Sequence, residues 1–214
     1  MSCGHSSTSS GEAPAGVHTR ASGKSAPRGQ NASVDSLKGQ LLLASPSLFD
    51  PNFRRAVVLV TEHNEEGAAG LVLNRRSETA VAEAIPDLVP LVAEDDRVYV
   101  GGPVQESAVL VLARFDDPDA AAMLVVDDVG FVPGDGDFQL LAGTTRQARV
   151  FAGYAGWGPG QLESELEALS WIVEGADGLD LFPDPELDLW STVLQEKGGV
   201  FRVVAMMPDD PSQN

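Results

Sequence analysis

His63 is the one histidine of residues 39–214, and it stands just past the apolar run Ala56-Val57-Val58-Leu59-Val60, with Ser45, Asp50 and Thr61 as conceivable partners. A nucleophile, base and orienter set needs such a histidine, and His63 as base would suit a hydrolase or transferase acting on a small anionic substrate. The nucleophile-elbow motif is absent, however, and an isolated histidine at a strand end reads first as a packing or hydrogen-bonding group. Metal chemistry has less to draw on. Cys3 is the only cysteine, so a site would have to be built from carboxylates, and neither Asp135-Gly136-Asp137 nor residues 177–180 has calcium-loop spacing. No metal and no cofactor is expected.

Two further groups could bind rather than react. The passage Gly153-Tyr154-Ala155-Gly156-Trp157-Gly158-Pro159-Gly160-Gln161 leads from an expected strand into an expected helix, and backbone N–H groups there could face an anion. It has neither the Lys-Ser/Thr of a phosphate loop nor a dinucleotide glycine spacing, and the plainer reading is a tight turn with Tyr154 and Trp157 packed on the core. Arg54, Arg55, Arg75 and Arg76 are four of the ten basic residues of residues 39–214. A hairpin would bring both pairs to one end, where like charges destabilise unless something neutral or acidic intervenes. That neutraliser is either an anionic ligand or the protein's own acids, such as Asp50 and Glu78.

The elements that must position these groups follow from periodicity. Residues 40–44 read as a strand closed by Ser45-Pro46, and residues 56–60 as a central strand covered on both faces. Asn64-Glu65-Glu66-Gly67 supplies the turn to an antiparallel return over residues 70–74, with Glu62 opposite Ala69. Ser77 is expected to cap a helix over 78–85. Further strands are expected at 97–100, 108–113, 123–126 and 149–153, with loops at 116–119 and 134–137. Leu162, Leu166, Leu169 and Val173 predict a helix, Asp184-Pro185 the start of another that ends before Gly198-Gly199, and residues 200–206 a last strand.

Composition bounds the function classes. Residues 1–38 are rich in Ser, Gly and Ala and predict a disordered N-terminal tail, with residues 39–214 forming a single domain. The chain carries −18, and removing the +2 of the tail leaves −20 on residues 39–214. Such a body repels polyanions, which argues against direct nucleic-acid binding. No apolar run is long enough to span a bilayer, and the first thirty residues lack the apolar core of a secretory signal, so a cytoplasmic protein that does not engage membranes is expected.

Several of these segments, read in order, resemble the YqgE/AlgH family: Phe53-Arg54-Arg55-Ala56-Val57-Val58, Glu62-His63, Gly70-Leu71-Val72-Leu73-Asn74-Arg75, Gly101-Gly102-Pro103-Val104, and Gly153 through Leu162. The resemblance runs from about Gly39 to the last expected strand. It implies a bacterial α+β protein with a mixed, largely antiparallel bifurcated sheet curled into a pseudo-barrel and flanked by helices. It implies no established enzymatic activity, and the label transcriptional regulator is attached to AlgH-like members. Arg76 stands where the family commonly has proline, and Ala113 where many members have a histidine, which leaves His63 without a second histidine. The resulting expectation is a non-enzymatic regulatory module. It would bind a small anionic ligand or a protein partner through Arg54, Arg55, His63, Asn74, Arg75, Gly101, Gly102, Tyr154, Trp157 and Gln161.

Overall fold

The computed structural model describes residues 36–176 and 179–207. The tail expected at residues 1–38 therefore falls, up to residue 35, outside the described residues. The strands, in chain order, are β1 (Gln40–Ala44), β2 (Val57–Asn64), β3 (Gly67–Val72), β4 (Arg76–Ala80), β5 (Arg97–Val100), β6 (Val104–Phe115), β7 (Met123–Val126), β8 (Val129–Phe131), β9 (Thr145–Trp157) and β10 (Trp171–Gly175). The helices are α1 (Val81–Ala84), α2 (Phe138–Leu141), α3 (Gln161–Glu167), α4 (Leu189–Lys197) and α5 (Phe201–Ala205).

The sheet runs β10-β1-β2-β3-β9-β6-β8-β7, and β5 joins β4 to β9. The β5–β9 ladder is parallel and the others described are antiparallel, so the mixed, largely antiparallel character is as expected. The pseudo-barrel is not. The order leaves β10 and β7 as outer strands with no ladder between them, and the sheet is open. Closure needs one continuous stagger of strands around a ring. Here β9 is shared between β3 (Gly70↔Ala155 to Ala68↔Trp157) and β5 (Tyr99↔Phe151, Val100↔Ala152), and the ladder through β6 is broken between Val104 and Val109.

Strands β1 and β2 are buried on both sides, which is why their apolar runs do not alternate. Leu42, Val58 and Val60 face one layer with Trp157, Leu162 and Trp171. Leu41, Leu43 and Leu59 face the other with Trp190, Val193 and Leu194 of α4. A third cluster, including Val81, Leu91, Phe115 and Val150, fills the space beneath α1.

Four expectations are corrected. Residues 76–80 form β4, with Arg76 opposite Tyr99 and Ala80 opposite Arg97, and only Val81–Ala84 is helical. The Ser77 hydroxyl accepts from Thr79 N at 3.2 Å, a local turn rather than a helix cap. Helix α3 ends at Glu167; Leu169 turns left-handed (φ 57°), and Trp171-Ile172-Val173 pairs with β1 because aromatic and β-branched residues suit a strand. Helix α4 starts at Leu189, capped by Asp188 rather than Asp184, and residues 201–205 are helical, not a strand.

Candidate functional site

The arginine end of the β2–β3 hairpin is held by its own backbone. Arg75 donates to Pro51 O (2.8 Å) and Arg54 O (3.2 Å), fastening the loop before β2. Burial lowers the Arg75 pKa from its ordinary value, opposed by Asp50. Asn74 acts as an added rung of the ladder: its Oδ1 accepts from Val57 N at 3.0 Å and its Nδ2 donates to Arg55 O at 2.8 Å. Arg55, left-handed at φ 53°, lays its guanidinium over the Trp190 ring at 4.4 Å and donates to Ser191 Oγ (3.3 Å) and Met207 O (3.4 Å). Arg76 donates to Asp95 O and pairs loosely with Glu186 at 3.9 Å. Arg55 also lies 3.8 Å from Asp188 Oδ2, and Asp50 acts on Arg75, so the charges at this end are met by carbonyl oxygens, an aromatic face and the protein's own acids together. Arg54 is exposed beside them.

His63 lies at the opposite, turn end of the hairpin. Its Nδ1 accepts from Leu37 N (3.0 Å) and its Nε2 donates to Glu163 Oε1 (2.8 Å), with the side chain 2% exposed. Ser36 adds a bond to His63 O at 3.0 Å. His63 thereby joins the chain before β1, strand β2 and helix α3 through a neutral imidazole protonated on Nε2, and neither nitrogen is left to accept a substrate proton. Glu165 has a parallel role. Its Oε2 accepts the indole N–H of Trp157 (2.9 Å) and Trp171 (2.8 Å), and its Oε1 accepts from Gln161 Nε2 (2.9 Å), while Gln161 Oε1 accepts from Gly158 N. Phe53 bridges the two ends, its ring stacked on Trp157 at 6.2 Å.

The Glu163 carboxylate sits below the ordinary range. Its own backbone N–H favours the charged form, desolvation opposes this, and the His63 hydrogen bond adds to the lowering. A depressed carboxylate contributes stability above its unfolded-state pKa and loses it as pH falls through the folded value. Between the ordinary value of 4.5 and that lower point, Glu163→Gln is expected to soften the acid-induced loss of stability relative to wild type. The half-exposed setting keeps the difference under about 1 kcal/mol. Urea midpoints measured across that pH range check it.

Gly101 and Gly102 answer to packing. A Cβ on Gly101 would lie 2.2 Å from Gly153 O, and one on Gly102 2.2 Å from Tyr154 C, because the crossing from β5 to β6 passes directly against β9. Tyr154, half-buried, lies on the other side of β9 from Trp157, and its ring comes within 3.5 Å of where a Gly156 Cβ would be.

On that Tyr154 face, the turn end of the hairpin carries a groove of about 390 Å³, with Ala69 and Gly156 among its small lining residues, Glu62 and Glu66 on the rim, Tyr154 as its aromatic wall, and Trp157 reaching it only at the strand end, since its ring is buried on the other face. Of the residues expected to bind, the structure brings Tyr154 and Trp157 to this groove. His63 and Gln161 lie next to it on the opposite face or in the following turn, and Arg54, Arg55, Asn74 and Arg75 gather at the far end of the hairpin. The rim residues were not singled out from the sequence. Their signal was the exposed Glu62 between buried Thr61 and His63, opposite Ala69. Among the described residues no group of three or more His, Cys, Asp or Glu could hold a metal ion, and no helix is long and apolar enough to cross a membrane.

Comparison with known proteins covers nearly all of this architecture. A UPF0301 protein of Streptomyces coelicolor is 43% identical over 190 residues, covering 85% of this chain and 97% of that protein. A UPF0301 protein of Mycobacterium tuberculosis is 40% identical over 181 residues, covering 82% and 90%. Among solved structures, a protein of Corynebacterium diphtheriae aligns with a TM-score of 0.74 at 29% identity, over 79% of this chain and 91% of that one. The solution structure of the AlgH protein from Pseudomonas aeruginosa aligns with a TM-score of 0.63 at 32% identity, over 84% and 98%. The family model described as AlgH-like (DUF179) matches residues 41–202, from β1 into α5, so the hairpin, the glycine crossing and the groove all fall inside the match, and the chain belongs to the AlgH-like family.

Proposed function

We propose that this chain is a non-enzymatic regulatory module of the cytoplasm that acts by holding a protein partner in the groove beside Tyr154. The observation that carries the reading is the division of labour around the hairpin. His63, the one histidine among the described residues, has both ring nitrogens engaged inside the protein, whereas the groove is open, aromatic on one side and acidic on its rim. Concave surfaces with a few convergent polar groups are where partners and ligands bind. The small anionic ligand anticipated at the arginines loses support, because Arg55, Arg75 and Arg76 already donate to internal acceptors. A regulator working through a protein also agrees with a body whose −20 opposes direct contact with nucleic acid.

The test is turnover. Incubated with a cell-extract metabolite mixture and followed by mass spectrometry, the wild-type protein is expected to leave the components unchanged, as is His63→Ala. Consumption of a metabolite by wild type that disappears in folded His63→Ala would overturn the reading in favour of an enzyme.

A further inference from the structure

Resting on the binding-module reading, we infer that the groove takes a basic, extended segment of the partner protein, seating an arginine or lysine side chain against Tyr154 between Glu62 and Glu66. Three features select this occupant. The rim is acidic on both sides of the turn: Glu62 is exposed at the end of β2, and Asn64 Nδ2 donates to its carboxylate at 3.1 Å, holding it in place without neutralising it. Glu66 follows in the same turn, its backbone N–H fixed by Asn64 Oδ1 at 2.8 Å. No lysine or arginine lines the groove. Two carboxylates without a basic neighbour attract a cation and repel phosphates or acidic peptides.

The second feature is the wall. The Tyr154 ring offers an aromatic face to a guanidinium or ammonium, a contact worth more for arginine than for any neutral side chain. The third is the floor, where Ala69 and Gly156 project little or nothing from the sheet. An amphipathic helix needs a row of large apolar side chains, and Val104 is the one branched aliphatic side chain lining this groove, whereas an extended chain with a side chain directed inward at every second residue fits a sheet surface. The net charge of −20 on residues 39–214 would steer such a segment toward the protein from a distance.

The experiment is a nuclear magnetic resonance titration of the full, isotope-labelled chain with the peptide acetyl-Arg-Ala-Arg-Ala-Arg-amide. Its citrulline counterpart, which keeps the shape and removes the charge, is the first control. Shifts are expected to concentrate at residues 62–69 and 154–157. The double variant Glu62→Gln/Glu66→Gln is expected to weaken Kd about tenfold, the size of two partly exposed ion pairs. Neutralising two exposed acids elsewhere, Glu83→Gln/Asp87→Gln, is expected to change it less than twofold. Ala69→Met, which fills the floor without altering charge, is expected to weaken binding as well, and all variants are checked for a wild-type amide spectrum outside the groove.

Equal weakening by both acid pairs, equal binding of the citrulline peptide, or no shifts at the groove would each overturn the inference. Any of these would leave the non-enzymatic reading standing, because that reading is decided by metabolite turnover. Turnover by the wild-type protein would remove that reading whatever the peptide does.

Discussion

Replacing Trp190 by alanine lowers the unfolding free energy by about 3–5 kcal/mol, the range for removing a large aromatic side chain from a packed core. The indole is 2% exposed and lies in the cluster that joins β1, β2 and β3 to α4. It has two further ties. Its Nε1 donates to Ala44 O at 2.8 Å, and its face carries the Arg55 guanidinium at 4.4 Å. Alanine therefore opens a cavity, leaves the Ala44 carbonyl without this donor, and takes away the aromatic surface under a cation at the start of β2. Trp190→Phe separates the contributions, since it keeps most of the apolar contact and loses the hydrogen bond, at a cost of about 1–2 kcal/mol. Urea denaturation of the three proteins reads both values. A Trp190→Ala unfolding free energy within about 1 kcal/mol of wild type would mean that α4 does not hold the sheet.

Why this tryptophan mattered could be read only in part from the chain. Leu187, Trp190 and Leu194 formed a stripe at helical spacing, and Gly198 does end the helix, so the element was legible. Its start was not, because both Asp184-Pro185 and Asp188 are good caps, and tertiary packing chose the second. The same contest decided other elements. Strand pairing claimed Arg76–Ala80 and Trp171–Gly175 from the helices drawn by pattern, since Leu162, Leu166, Leu169 and Val173 keep helical spacing across a left-handed Leu169 that periodicity cannot see. Where an apolar run needed both faces covered, as at Ala56-Val57-Val58-Leu59-Val60, the reading agreed with the structure, down to Glu62 opposite Ala69.

The site was less legible than the fold. Sequence shows which residue types are unusual, and it found the arginine quartet, His63 and the aromatic glycine passage. It does not show whether a polar group is already satisfied from within. Asn74 completes a ladder, Arg75 fastens a loop and His63 joins three segments, and each partner is backbone or lies far along the chain. The groove was hidden for the converse reason, because its floor is small residues and its rim is ordinary turn glutamates. Those acquire meaning only when β3 and β9 lie side by side.

Gly102→Ala is the second large effect, a loss of about 3 kcal/mol or more, from overpacking together with an unfavourable backbone conformation. At φ 153° the added methyl would stand 2.2 Å from Tyr154 C and 2.3 Å from Ala155 N, both backbone atoms that no side-chain rotation can move aside. Either the β5–β6 crossing lifts from β9 or β9 itself shifts. Gly160→Ala is the matched control, for it also has a positive φ (71°) but nothing within 4 Å of the new methyl, so only the backbone cost of about 1 kcal/mol applies. Because the displaced atoms belong to Tyr154, whatever fraction of Gly102→Ala still folds should also bind the arginine peptide more weakly, whereas Gly160→Ala should bind it as wild type does. Equal stability of the two variants would show that the crossing has room to spare. The Gly101-Gly102 pair would then need a reason other than close packing, and a ligand lying on its backbone would become the better explanation.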